Sequence, residues 1–248
     1  MRLDDIMVHH GSDKASQASQ DWQWPQDYCR RTYESVLAPL RELPVTLLEL
    51  GWGEYDPVAR NHDNPDNGGR SARAWSDYFV NGTIVAVELA PKNFPDRDAY
   101  PRVHLYDCTD QTDAAALAAI HREHGDFDIV VDDASHVSSL TIASFKALWP
   151  YVTPGGWYFV EDLHSSYHDY YFGLDEANRD PRKDAVTAMG FFKRLTDDVF
   201  YQGQRPKGPA VDGDPCSWDC YPRRYWQGYE IEEIRFCAPQ LIAIRKRA

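Results

Sequence analysis

Between Val45 and Glu161, short runs rich in β-branched and aromatic residues alternate with stretches whose apolar residues recur every three or four positions. Nothing else in the chain restricts the fold as much, because such alternation leads to a parallel sheet with crossover helices packed on its faces. The strand-like runs are Val45–Leu50, Thr83–Glu88, Arg102–Tyr106, Phe127–Asp132 and Trp157–Glu161. Between them, Ser71–Phe79, Asp113–His124 and Ser138–Trp149 carry the spacing of helices laid against a sheet. Thr153-Pro154-Gly155-Gly156 reads as a stop separating the third helix from a central, buried fifth strand. Tyr229–Cys237 and Gln240–Arg245 predict two more strands around Ala238-Pro239, closing an antiparallel hairpin on the sheet edge. The expected fold is α/β: a seven-stranded, mostly parallel sheet with an antiparallel C-terminal hairpin and helices on both faces.

Two further amphipathic helices are expected at Gln26–Arg41 and Arg182–Tyr201. Residues 1–43 read as an N-terminal helical lead-in and active-site cap, and residues 44–248 as one domain with an insertion at about 173–226. With 248 residues, 43% of them hydrophobic, the chain has material for one sizeable core. The 26 Lys and Arg against 39 Asp and Glu give a net charge of −13, which repels nucleic acid and anionic membranes. The five cysteines are scattered and odd in number, so no disulfide framework is expected, and Cys216 and Cys220 read as loop cysteines. No run of about 18 apolar residues is present and the first residues lack an apolar signal core, which leads to an expected cytoplasmic location.

In an open parallel sheet, ligands sit beyond the carboxyl ends of the strands, so the residues there carry the chemistry. The first strand ends in Glu49-Leu50-Gly51-Trp52-Gly53, whose G-x-G permits close approach to the backbone without the third glycine of a dinucleotide fingerprint. The second ends in Glu88, a residue type that accepts hydrogen bonds from ribose hydroxyls. The fourth ends in Asp132-Asp133-Ala134-Ser135-His136 and the fifth in Glu161-Asp162-Leu163-His164. Carboxylates at adjacent strand ends repel unless a cation or protons neutralise them, and an oxygen-rich set without thiolate suits magnesium, calcium or manganese. Some of these residues also suit helix capping. Tyr167, Tyr170, Tyr171 and Phe172 read either as a substrate-facing wall or as oligomer packing.

These motifs together resemble the sugar O-methyltransferases of bacterial natural-product biosynthesis, the macrolide group in particular. The resemblance is carried by LELGWGEYDP, GGRSARAWSDYF, the DQTD of Asp110–Asp113, FDIVVDDASH and GGWYFVEDLHSSY, with HGSDK at His10–Lys14 and the Tyr28–Leu37 helix as an amino-terminal lead-in. It implies a Rossmann-like class I methyltransferase fold using S-adenosylmethionine (SAM) and a divalent metal, magnesium by preference, and a homo-oligomer. It also implies roles: Asp133, Glu161 and Asp162 as metal ligands, His136 as general base, and Glu49, Gly51, Ser71, Glu88, Asp110, Gln111 and Asp132 around SAM. The implied acceptor is a hydroxyl of a deoxysugar, nucleotide-activated or already on a glycoside. In its narrowest form that is the 3-hydroxyl of TDP-rhamnose, as in the calicheamicin branch. Two departures stand out: GWGEY replaces GIGGY, and Ala134 stands where glycine is usual; residues 173–226 match poorly.

His164 is a rival base by position. Three other readings share parts of the pattern: a catechol-type metal-dependent O-methyltransferase, a nicotinamide-dependent oxidoreductase, and a non-catalytic binding module on the same fold.

Overall fold

The computed structural model describes residues 1–17, 27–53, 68–167, 187–201, 229–238 and 240–248. Seven strands form one sheet: β1 (Thr46–Leu50), β2 (Thr83–Val87), β3 (Val103–Tyr106), β4 (Phe127–Asp132), β5 (Val152–Val160), β6 (Ile231–Cys237) and β7 (Leu241–Lys246). Their order is β3-β2-β1-β4-β5-β7-β6. The first five pair in parallel, β7 runs antiparallel beside β5, and β6 forms the outer edge of the hairpin. The expected architecture is therefore present, and the order reverses between β1 and β4, which opens a crevice at their carboxyl ends.

Strand alternation sorts side chains between two cores. Leu47, Ile129, Val131, Trp157 and Phe159 pack on one face under α1 (Leu3–His10), the Cys29–Leu40 region and α3 (Arg70–Tyr78). Leu48, Leu50, Val130, Tyr158 and Val160 pack on the other, under α4 (Ala114–His124), α5 (Ser138–Leu148) and α6 (Ala188–Arg194). Burial on both faces explains why β1 and β4 read as near-continuous apolar runs.

Asp113 caps α4, its carboxylate accepting from Ala115 N and Ala116 N at 3.0 Å. The segment expected as one helix over Gln26–Arg41 begins, within the described residues, with a π turn at Cys29–Tyr33. It passes through α2 (Glu34–Leu37) and ends in a 3-10 turn at Ala38–Leu40, where Pro39 stands. The Arg182–Tyr201 expectation divides into α6 and α7 (Thr196–Tyr201), and Thr196 Oγ1 donates to Lys193 O at 2.7 Å where they meet. Residues 182–186, most of the 173–226 insertion, Tyr170, Tyr171, Phe172, Cys216 and Cys220 lie outside the described residues.

The fifth strand corrects its expectation. Val152 already pairs with Phe127, and the next pair is Ile129 with Trp157, so Thr153–Gly156 bulge from a continuous strand instead of preceding it. Gly155 has φ +81° and a Cβ on Gly156 would lie 2.9 Å from Asp128 O; the proline and glycines that suggested a stop are what a bulge requires. α1 falls within the expected N-terminal helical lead-in but was not delimited there, although Asp4 and Asp5 in its first turn, His9 and His10 in its last and Gly11 at φ +72° are ordinary helix-end signals. Among the described residues, no helix is long and apolar enough to cross a membrane.

Candidate active site

Glu49, Asp133 and Glu161 follow the alternation of Leu47, Val131 and Phe159, so three carboxylates at the ends of β1, β4 and β5 project to the same face. That face is covered by the N-terminal segment, which delivers two polar side chains onto them and a third onto Asp162. Lys14, 1% exposed, places its ammonium against Asp133 Oδ2, 3.0 Å from Glu161 Oε2 and 3.8 Å from Glu49 Oε1. The Tyr33 hydroxyl donates to Glu161 Oε1, and the Tyr28 hydroxyl to Asp162 Oδ1 at 2.9 Å. Glu49 also accepts from Ser71 Oγ at 2.8 Å and Trp75 Nε1 at 3.1 Å.

Burial raises the Asp133 carboxyl to about 7 against the pull of Lys14 and His136. Burial and then the Asp133 charge raise Glu161 well above the usual carboxylate range, and burial raises Glu49 as well. Burial works against the charge on Lys14, yet Asp133 and Glu161 hold its pKa well above the ordinary lysine value. The crevice disfavours its own negative charge and favours positive charge brought to it.

Of the residues expected to hold metal, Asp133 and Asp162 converge, and His136 joins them: one oxygen or nitrogen from each lies within 4.8 Å of the others. His136 Nε2 is 3.6 Å from Asp162 Oδ2 and 3.9 Å from Asp133 Oδ1. Two carboxylates and an imidazole at this spacing fit a divalent ion of the magnesium or manganese type. Glu161 lies beside this group but is engaged by Lys14 and Tyr33. His136 and Asp162 have φ of +56° and +52°, a region where non-glycine residues are uncommon and often functional. His164 Nδ1 lies 3.6 Å from Asp162 Oδ1 and does not enter the three-donor group.

The expected cofactor residues divide. Gly51 (φ +82°) and Glu88 lie at the strand ends beside the crevice, and a Cβ on Gly51 would fall 2.2 Å from Asp133 O, so only glycine fits there. Glu88 Oε2 accepts from Gly53 N at 2.8 Å and Oε1 from Ala90 N at 3.1 Å, which orients the carboxylate. Gln111 is buried and bridges Ser144 Oγ at 2.7 Å and Ser135 N at 3.1 Å. Ser71 and Glu49 are joined below the G-x-G turn, whereas Asp110 is exposed and accepts from Thr112 N and Oγ1 at 2.7 Å. Asp132 points to the opposite core, where Tyr158 donates to it at 3.2 Å and burial raises its pKa to about 7. The indole Nε1 of buried Trp52, at the glycine turn, has no hydrogen-bond partner among the described residues.

No family model matches the chain. The 8-demethyl-8-(2-methoxy-alpha-L-rhamnosyl)-tetracenomycin-C 3'-O-methyltransferase of Streptomyces olivaceus is 38% identical over 208 residues, 84% of this chain and 47% of that protein. The 8-demethyl-8-alpha-L-rhamnosyl tetracenomycin-C 2'-O-methyltransferase of the same organism is 36% identical over 196 residues, 79% of this chain and 45% of that protein. The chain is a relative of the sugar O-methyltransferases. It spans about half the length of these curated relatives. Among solved structures, the MycE methyltransferase of the mycinamycin pathway, in complex with Mg, SAH and Mycinamycin VI, is 25% identical with a TM-score of 0.75 over 100% of this chain and 54% of MycE. The sheet order and this likeness make the fold that of the class I methyltransferases.

Lys14, Tyr28 and Tyr33 were absent from the sequence-derived site. Their signal was the need of clustered carboxylates for positive charge and hydrogen-bond donors, which a lysine in HGSDK meets as well as a metal does.

Proposed function

We propose that this sugar O-methyltransferase relative transfers a methyl group from SAM to a hydroxyl of a rhamnose-type deoxysugar, assisted by a divalent metal and with His136 as general base. The observation that carries the reading is the convergence of Asp133, His136 and Asp162 at the strand ends. The identity to an enzyme named for a rhamnosyl 3'-hydroxyl supports the 3-hydroxyl as target, with the sugar either nucleotide-activated, as in TDP-rhamnose, or on a glycoside.

SAM, when bound, supplies a methyl group on a sulfonium, and a divalent ion, when bound, supplies Lewis acidity that favours ionisation of the acceptor hydroxyl. Glu88, oriented by Gly53 N and Ala90 N, accepts hydrogen bonds from the ribose, and Gly51 lets the cofactor lie against the backbone. Gln111, Ser71, Glu49, Asp110 and Asp132 are the remaining residues that would surround it, Glu49 and Asp132 from opposite faces of the sheet. Asp133 and Asp162 would hold the ion, with Glu161 as the third carboxylate beside them. Tyr28 fixes the Asp162 carboxylate by donating to Oδ1. His136 Nε2 would accept the proton of the acceptor hydroxyl, whose oxygen would take the methyl group that SAM supplies. The described N-terminal residues, α1 and the Tyr28–Leu40 segment among them, would cap the sheet face that carries these carboxylates.

The test is a methyl-transfer assay with labelled SAM and magnesium on TDP-rhamnose, a rhamnosylated aglycone and a simple catechol, each repeated with EDTA. Transfer to a rhamnosyl acceptor that EDTA abolishes is the expected result. Transfer only to the catechol would replace the acceptor, and EDTA-resistant transfer would remove the metal from the mechanism.

A further inference from the structure

Lys14 is built into the crevice. The α1 end turns at Gly11, whose carbonyl accepts from Arg70 Nη1 at 3.3 Å, and Asp4 accepts from Ser16 N and Oγ at 2.7 Å, so the turn bearing Lys14 is tied on both sides. Lys14 N donates to Ser12 Oγ at 3.3 Å and its carbonyl accepts from Cys29 N at 3.2 Å. A buried ammonium held this way gives one positive charge to three carboxylates, the buried Glu49 and Glu161 and the partly buried Asp133. It also takes up Asp133 Oδ2 and Glu161 Oε2, oxygens that a divalent ion at this place needs.

We propose that Lys14 is the resident cation of the crevice, against which a divalent ion must compete for Asp133 and Glu161. Resting on the metal-assisted reading above, it makes Lys14 a positioning residue that sets ion affinity from the N-terminal segment. While the ammonium stays, it repels the ion and occupies Glu161 Oε2, so that Glu161 does not serve the group of Asp133, His136 and Asp162. When it withdraws, Glu161 becomes available to them. Ion binding and seating of the Lys14 side chain are then mutually unfavourable, and each lowers the affinity of the other by the same factor.

The experiment is Mn2+ binding to the full chain, followed by the electron-resonance signal of free Mn2+, for the parent protein and Lys14→Met at one pH. Removing the competitor is expected to tighten Mn2+ binding by about tenfold or more. Mn2+ is also expected to raise the Tm of Lys14→Met more than that of the parent. Loss of a buried charge partner is itself destabilising. Glu161→Gln is therefore compared with Lys14→Met/Glu161→Gln, where both charges of the pair are gone and the same tightening is expected. Equal or weaker binding after removal of Lys14, in either background, overturns the proposal while leaving the metal site in place. Absence of Mn2+ binding in all four proteins overturns the metal-assisted reading together with it.

Discussion

The Tyr28 hydroxyl donates to Asp162 Oδ1 at 2.9 Å and lies 3.3 Å from Asp162 N, which donates to it in turn, so one buried phenol satisfies both the carboxylate and the backbone of a residue at φ +52°. Burial, and then the charges of Asp162 and Glu161, raise its pKa far above the ordinary tyrosine value, so it remains a donor at any working pH. Tyr28→Phe keeps the ring in the core and leaves Asp162 N without its acceptor. We expect a loss of about 2 kcal/mol, read as a Tm lower by about 4–8 °C. An unchanged Tm would mean that the phenol packs there without anchoring Asp162.

Glu88 offers a second test, on the cofactor side. Its two oxygens already accept from Gly53 N and Ala90 N, leaving the outer lone pairs for a ligand in a fixed direction. Glu88→Gln removes the charge and one acceptor. A hydrogen bond to a charged group contributes about 1.5–3 kcal/mol, so affinity for SAH should fall roughly ten- to hundredfold in titration calorimetry, with a lower Tm because Gly53 N or Ala90 N then faces the amide NH2. Equal SAH affinity would remove Glu88 from the cofactor site.

Gly51 and Gly125 separate backbone strain from collision. Both have positive φ, +82° and +80°, but a Cβ at Gly51 would meet Asp133 O at 2.2 Å while nothing lies within 4 Å at Gly125. Gly125→Ala should lose about 1–3 kcal/mol from strain alone. Gly51→Ala should lose about 4 kcal/mol or more, because Asp133 O belongs to backbone that also anchors the carboxylate cluster. Thermal denaturation of the two variants gives the comparison. Similar losses would mean that the β1 and β4 ends yield more readily than their separation implies.

What was legible follows from which interactions are local. β1 and β4 are buried on both faces, and their apolar runs announce this without knowledge of any partner. Glu88, Asp133 and Asp162 fall at strand ends, and the rule for open parallel sheets locates them from the strands alone. Lys14 and Tyr33 were not legible in this way, because their partner Glu161 lies 147 and 128 positions along the chain and no periodicity connects them. The carboxylate excess was legible, and its remedy was read as protons or, by preference, a divalent metal, although an ammonium answers the same electrostatic demand. The β5 bulge was misread because Pro-Gly-Gly carries the same conformational message in a stop and in a strand that must admit extra residues.

His136 bears the last prediction. It is held at φ +56° with Nε2 at 3.6 Å from Asp162 and 3.9 Å from Asp133, close to the group expected to hold the ion. As the base, it contributes through proton transfer alone, so His136→Ala should lower kcat by about 10²–10⁴-fold while SAH binding by calorimetry stays within about twofold of the parent. Added imidazole should restore part of the lost turnover, since the cavity left by the ring admits a free base. Were His136 chiefly a metal ligand, Mn2+ affinity would fall with kcat and excess metal, not imidazole, would rescue the variant. The two rescues exclude one another in direction, and the pair of titrations separates the role of the imidazole as proton acceptor from its role as ligand.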